Sequence, residues 1–147
     1  MQAQASSFHI YDVSNFPLVV GRAEAMLPGY AARWRDEMTA LVGQDRAFVL
    51  IHTARDEEAH EDRKQRALWL KQHKAPLGRS CRALIHIEPD PGKRAAMAAQ
   101  AQMAVKAFGV PVAMAATMAE ALALGNYALA AAITANANAG VQDGPAR

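Results

Sequence analysis

The chain of 147 residues carries a formal net charge of +2, and 34 of its residues are alanine, 17 of them beyond residue 100. That length suits one domain with one core, and charged and hydrophobic fractions of 20% and 52% exclude a disordered chain. Basic residues scattered among acids, with no patch interleaved with aromatics, leave no footprint for nucleic acid.

Met1 to Ser7 is short and polar, without a basic region followed by an apolar stretch, so no secretory signal is read there and a cytoplasmic setting is expected. Phe8 to Val13 reads as a first strand. The turn Ser14-Asn15-Phe16 leads into a second, Pro17 to Ala23, and the short spacing predicts an antiparallel hairpin. Pro28 and Gly29 then punctuate the chain. Tyr30, Trp34, Met38, Leu41 and Val42 recur on one helical face, with Arg33, Arg35, Asp36 and Glu37 largely on the other. Gly43 is the expected stop.

Ala47 to Thr53 is a continuous apolar run of the kind found in strands covered on both faces. The next helix is expected over Glu57 to Lys74, acids first and bases last, which complements the helix dipole. Ala59, Ala67, Trp69 and Leu70 are expected to face the sheet, and Pro76 and Gly78 to end the helix. Arg82 to Glu88 is the next strand, closed by Pro89. Asp90 as N-cap and Pro91 at the first helical position open a third helix that runs to Phe108 and stops at Gly109 and Pro111.

Val112 to Ala116 is a short strand, and Thr117 with Glu120 forms a capping box for a last helix from Met118 to about Ala132. Ala113 to Ala132 is the most apolar stretch, but Glu120, Gly125 and Asn126 interrupt it, so no transmembrane segment is expected. The order β-β-α-β-α-β-α-β-α predicts an α/β fold: a mixed, mainly parallel sheet of about five strands with four helices, spread over both faces. One domain spans residues 8–132, and 133–147 is expected to be a flexible tail.

Three stretches carry a family resemblance. They are the helix segment from Arg66 to His73 followed by a strand near Cys81, the strand from Ala47 to His52 followed by an acidic helix start, and Pro111 to Ala123 with its Thr117 and Glu120-Ala121-Leu122. Over roughly Phe8 to Ala130 the chain resembles the STAS-like (SpoIIAA-like) family, in its divergent stand-alone bacterial branch. That resemblance implies a non-catalytic regulatory or protein-interaction module. It also implies a phosphorylatable serine or threonine at a helix N-terminus after the third strand. Here Thr53 to His60 departs from the pattern: no hydroxyl residue sits among the acids, and Glu57 and Glu58 already occupy the place a phosphate would take.

In a parallel sheet, ligands sit outside the C-terminal ends of the strands. His52, Asp56, His60, His86 and Glu88 belong to that region and are the candidate ligand-binding residues, against the alternative that the histidines finish buried strands and the acids cap helices. The spacing offers no metal set: four positions after His60 stands Lys64, not histidine. Neither a cofactor nor a catalytic residue is read from the chain, and Cys81 is expected to be a semi-buried structural thiol.

The third helix has hardly any polar face. Met97, Met103, Phe108, Met114 and Met118 are candidate interface residues, because methionine suits adaptable surfaces and a helix apolar nearly all round is buried twice or meets a partner. Self-association or a protein partner stands beside core packing and a small apolar-ligand pocket as readings of that surface. The functional alternative to a regulatory module is a lipid-like small-ligand carrier or enzyme with a pocket at the C-terminal strand ends.

Overall fold

In the computed structural model, which describes residues 8–53 and 58–142, with the backbone alone at 104, 107, 108 and 132–142, the chain opens with the expected hairpin. Strand β1 (Tyr11–Asp12) pairs antiparallel with β2 (Leu18–Gly21). Helix α1 (Ala31–Gly43) leads to β3 (Phe48–Thr53). Helices α2 (His60–Gln72) and α3 (Lys74–Ser80) lead to β4 (Cys81–Ile87). Helix α4 (Pro91–Phe108) leads to β5 (Val112–Ala115), and α5 (Met118–Gln142) ends the described chain. The sheet has five strands in the order β1-β2-β3-β4-β5, and every pair after the hairpin is parallel. The α/β fold with a mixed, mainly parallel sheet is therefore as expected. Among the described residues no helix is long and apolar enough to cross a membrane.

The opening strands are shorter than expected: the first covers Tyr11–Asp12 instead of Phe8 to Val13, and the second stops at Gly21, before a single 3-10 turn at Ala23–Ala25. Two helix boundaries also differ. The helix expected over Glu57 to Lys74 is two helices, because His73 leaves helical geometry at φ −113° and ψ 25°. Pro76 then falls in the first turn of α3, where an amide would have no helical partner in any case, so it helps open a helix instead of closing one. At the C-terminus, α5 passes the expected stop near Ala132 and reaches Gln142. The alanine-rich run has strong helix propensity and meets no proline before Pro145. The tail residues 143–147 lie outside the described residues.

The caps obey their chemistry. Asp90 accepts from the Lys93 amide at 2.8 Å, with Pro91 as the first helical residue. Gly109 ends α4 at φ 72° and returns its amide to the Val105 carbonyl at 2.8 Å. Thr117 accepts from the Glu120 amide at 3.1 Å, while the Glu120 carboxylate reaches the Ala116 amide at 2.9 Å.

Parallel strands laid down in sequence order keep their right-handed crossovers on one face of the sheet. That face carries Tyr11, Val19, Phe48, Leu50 and Cys81, covered by Trp34, Met38 and Leu41 of α1, Trp69 of α2 and Leu77 of α3. The opposite face carries Leu18, Val49, Ile51, Ala83, Ile85, Ile87 and Ala115, covered by α5. Alternation along each strand puts His52 and His86 on the first face, in register with one another.

Helix α5 lies so close to the sheet that a Cβ on Gly125 would stand 2.6 Å from Leu18 Cδ2 and 3.4 Å from Val49 Cγ1. Together with fully buried Ala121 one turn earlier, this gives the alanine-rich C-terminal half a packing role. Gly125→Leu should lower stability by about 1–3 kcal/mol through overpacking, despite its better helix propensity. Urea unfolding followed by circular dichroism measures it, and an unchanged midpoint would contradict the close approach.

Candidate functional site

A cleft of about 160 Å³ opens at the C-terminal ends of β3 and β4. Sheets that bind ligands between strands of reversed order have a crevice made by the topology, but strands in sequence order have none. Here the helices and loops make the walls. Met26 and Tyr30 come from the connection before α1, Trp34 from α1, Thr53 and Glu58 from the stretch after β3, Arg66 from α2 and Met97 from α4, over a floor of His52 and His86.

Two buried carboxylates hold these walls in place. Glu37 of α1, expected on the polar face, is only 4% exposed. It accepts from the amides of His9 at 2.8 Å, Ile10 at 3.0 and 2.9 Å, and Tyr11 at 2.9 Å, with Arg33 Nε at 3.2 Å. Asp62 of α2, 3% exposed, accepts from the amides of Gly29 at 2.8 Å and Ala31 at 3.1 Å. It thus supplies the cap that Tyr30, at the N-cap position, does not provide. Gly29 has φ 94°, a conformation that glycine adopts without strain.

The inner face of α2 is the expected one at Trp69 and Leu70 only. Ala59 and Ala67 are exposed, whereas Asp62 and Trp69 are buried and Arg66 and Leu70 half-buried. Counting back three and seven residues from Trp69 gives Arg66 and Asp62. That helical spacing from the large aromatic is the signal in the sequence that could have found both.

Behind the floor runs a hydrogen-bonded chain. Trp34 Nε1 donates to the Tyr11 hydroxyl at 2.9 Å, and that hydroxyl lies 2.8 Å from His52 Nε2. An indole N–H can only donate, so the Tyr11 hydroxyl accepts from Trp34 and shares a second hydrogen bond with His52 Nε2, whose direction follows the His52 tautomer. Burial raises the Tyr11 pKa well above its ordinary value, against the Trp34 hydrogen bond, so this hydroxyl stays protonated. Gly21 makes room for the arrangement: a Cβ there would stand 2.8 Å from both His52 Cδ2 and Met26 Cε.

The front of the cleft carries the charges. Arg66 Nη1 donates to both Glu58 oxygens at 2.9 and 2.8 Å, and the Tyr30 hydroxyl donates to Glu58 Oε2. The guanidinium carbon sits 5.4 Å from the Trp34 ring centroid, within cation–π range. Burial opposes the Arg66 charge, but the Tyr30 and Glu58 side chains outweigh it and its pKa is raised. His86 stands edge-to-face with His52, ring centroids 5.8 Å apart. Burial, with Arg66 nearby, holds its pKa below the ordinary imidazole value, so His86 is neutral at pH 7.

Of the candidate ligand-binding residues, His52 and His86 are brought together in the cleft. His60 is exposed at the start of α2, and Glu88 serves the turn after β4, accepting from the Asp90 amide at 2.9 Å. Asp56 lies outside the described residues. Of the candidate interface residues, Met97 lines the cleft and Met114 stands beside His86 in register. Met103 and Met118 are exposed, and the Phe108 side chain lies outside the described residues. Tyr11, Met26, Tyr30, Trp34, Glu58 and Arg66 are not legible as site residues in the sequence, because they come from separate elements that only folding unites.

Cys81 is fully buried, and burial pushes its thiol up to about 12, as suits a structural cysteine. Among the described residues no group of three or more histidine, cysteine or acidic side chains could hold a metal ion. Comparison with protein-family models, with curated proteins and with solved structures finds no match to this chain.

Tyr11→Phe should cost about 1–3 kcal/mol, since it removes the shared partner of the buried Trp34 N–H and of His52 Nε2. The same change should move the His52 imidazole nitrogen shifts in an NMR spectrum. Unaltered stability and shifts would show that the chain of hydrogen bonds does not organise the floor.

Proposed function

We propose that this chain is a non-catalytic, STAS-like regulatory module that works by holding a small polar ligand in the cleft over β3 and β4. The observation that carries this reading is the hydrogen-bond balance of the cleft. Glu58 is already engaged by Arg66 and Tyr30, whereas Arg66 has no acceptor for Nε or Nη2 among the described residues. His86 likewise has no hydrogen-bond partner among them, and neither residue's nitrogens are among the sealed, unpartnered atoms of the fold. A non-catalytic role fits the other reactive groups: the Cys81 thiol and the Tyr11 hydroxyl are both shifted away from ionisation.

Size favours a compact ligand over a lipid-like one. A cavity of about 150 Å³ takes benzene, while pockets for drug-sized ligands run from about 300 Å³ upward. One ring fits and an acyl chain does not. Benzoate, benzamide, phenol and uracil are suitable probes for thermal-shift and ligand-observed NMR measurements. A probe at about ten times its Kd should stabilise the fold by about 1.4 kcal/mol, or about 3–6 °C in Tm. Met97→Trp, which fills the cleft, should abolish the shift. No stabilisation by any probe, or shifts indifferent to Met97→Trp, would sink the reading.

A second reading rests on α4. Ala95, Ala96, Ala98 and Ala99 are exposed, and Met103 is 75% exposed, an apolar face that a second copy of the chain would cover. On this reading light scattering at about 100 μM gives a dimer mass, and Met103→Glu returns it to the monomer mass. A monomer in both proteins removes self-association from consideration.

A further inference from the structure

We infer that the cleft takes a small monocarboxylate with an apolar body of about one ring, its carboxylate set between Arg66 and His86. This rests on the ligand-binding reading above and names the ligand class. The groups without a partner among the described residues are donors: Nε and Nη2 of Arg66, and one nitrogen of the neutral His86. Their natural complement is an acceptor with two oxygens, and a guanidinium edge matches a carboxylate in plane. The apolar part of the lining is made by Met26, Trp34 and Met97, so the remainder of the ligand is a compact hydrophobic group.

The charge balance sets the charge of the ligand. Arg66 and Glu58 cancel, and His86 is neutral, so the cleft has one cation already paired. A dianion such as phosphate would bring two negative charges beside Glu58 with no second fixed cation among the described residues of the cleft to meet them. A monoanion asks for one compensating charge, and His86 can supply it by taking up a proton. Among the described residues, the titratable or charged groups around His86 are His52 on β3, with Tyr11 behind it, Arg66 on α2, Glu58 before α2 and Tyr30 before α1. Helix α4 and strand β5 place Met97 and Met114 there, which add no charge. Burial and the nearby Arg66 disfavour the His86 charge in the empty cleft, and a bound carboxylate reverses that balance. Binding is therefore coupled to proton uptake, and affinity rises as pH falls.

Isothermal titration calorimetry with benzoate and its neutral isostere benzamide, at pH 6 and pH 8 in buffers of different ionisation enthalpy, tests this. The expected result is benzoate at least tenfold tighter than benzamide at pH 6, with proton uptake. Benzoate should weaken toward pH 8 and benzamide should not change. His86→Asn, which leaves the Arg66–Glu58 pair intact, should abolish the pH dependence. Arg66→Lys, which keeps the charge but loses the planar fork, should narrow the preference for benzoate. Benzamide binding as well as benzoate, or pH dependence surviving His86→Asn, overturns the carboxylate while leaving the cleft as a ligand site. Failure of every probe, charged or neutral, overturns both.

Discussion

A carboxylate carried into a protein interior must have its lone pairs filled, and the placement of α1 depends on how Glu37 and Asp62 meet that demand. Glu37 gathers the amides of His9, Ile10 and Tyr11, so α1 is tied to the first strand. Asp62 caps the start of α1 through the amides of Gly29 and Ala31, so α1 is tied to α2 as well. Leaving a buried charge of this kind unpaired costs several kcal/mol, which makes both ties difficult to break. Trp34 and Tyr30 ride on α1 and Arg66 rides on α2. The distances across the cleft are therefore set by carboxylates that do not themselves line it.

The cleft has a definite chemical character. Its floor is two imidazoles of neighbouring strands, one of them held in place by a hydrogen bond to Tyr11, which Trp34 in turn engages. Its front is a guanidinium whose charge is balanced by Glu58 but whose Nε and Nη2 meet no acceptor among the described residues. Partly buried groups of this kind interact more strongly than they would in water, so a small change in the charge of the contents is felt by His86. The proposed ligand class and its coupling to protonation come from the same imbalance of donors over acceptors.

Much of the fold was legible because period and punctuation act locally. The apolar run before Thr53, the spacing of Trp34, Met38 and Leu41, and the caps at Asp90, Gly109 and Thr117 are all where the residue types put them. The Leu-Ile-His of residues 50–52 and that of residues 84–86 lie on two adjacent strands and pair in register. The exceptions share one cause. Glu37, Asp62 and Arg66 carry charge yet lie on inner faces, because partners far away in the chain satisfy them. A polarity pattern alone assigns inward positions to Ala59 and Ala67, which solvent covers instead.

By itself the sequence determined an α/β chain with a mainly parallel sheet and a crowding of alanine toward its C-terminus, because helix caps, strand runs and small side chains depend on residues close together. Only the tertiary structure decided that Gly125 and Ala121 press α5 against the sheet, and that the cleft belongs to Tyr30, Trp34, Glu58 and Arg66 as much as to the two histidines. Those residues come from separate elements, and the energy that holds them together comes from hydrogen bonds and packing between segments that no local pattern connects.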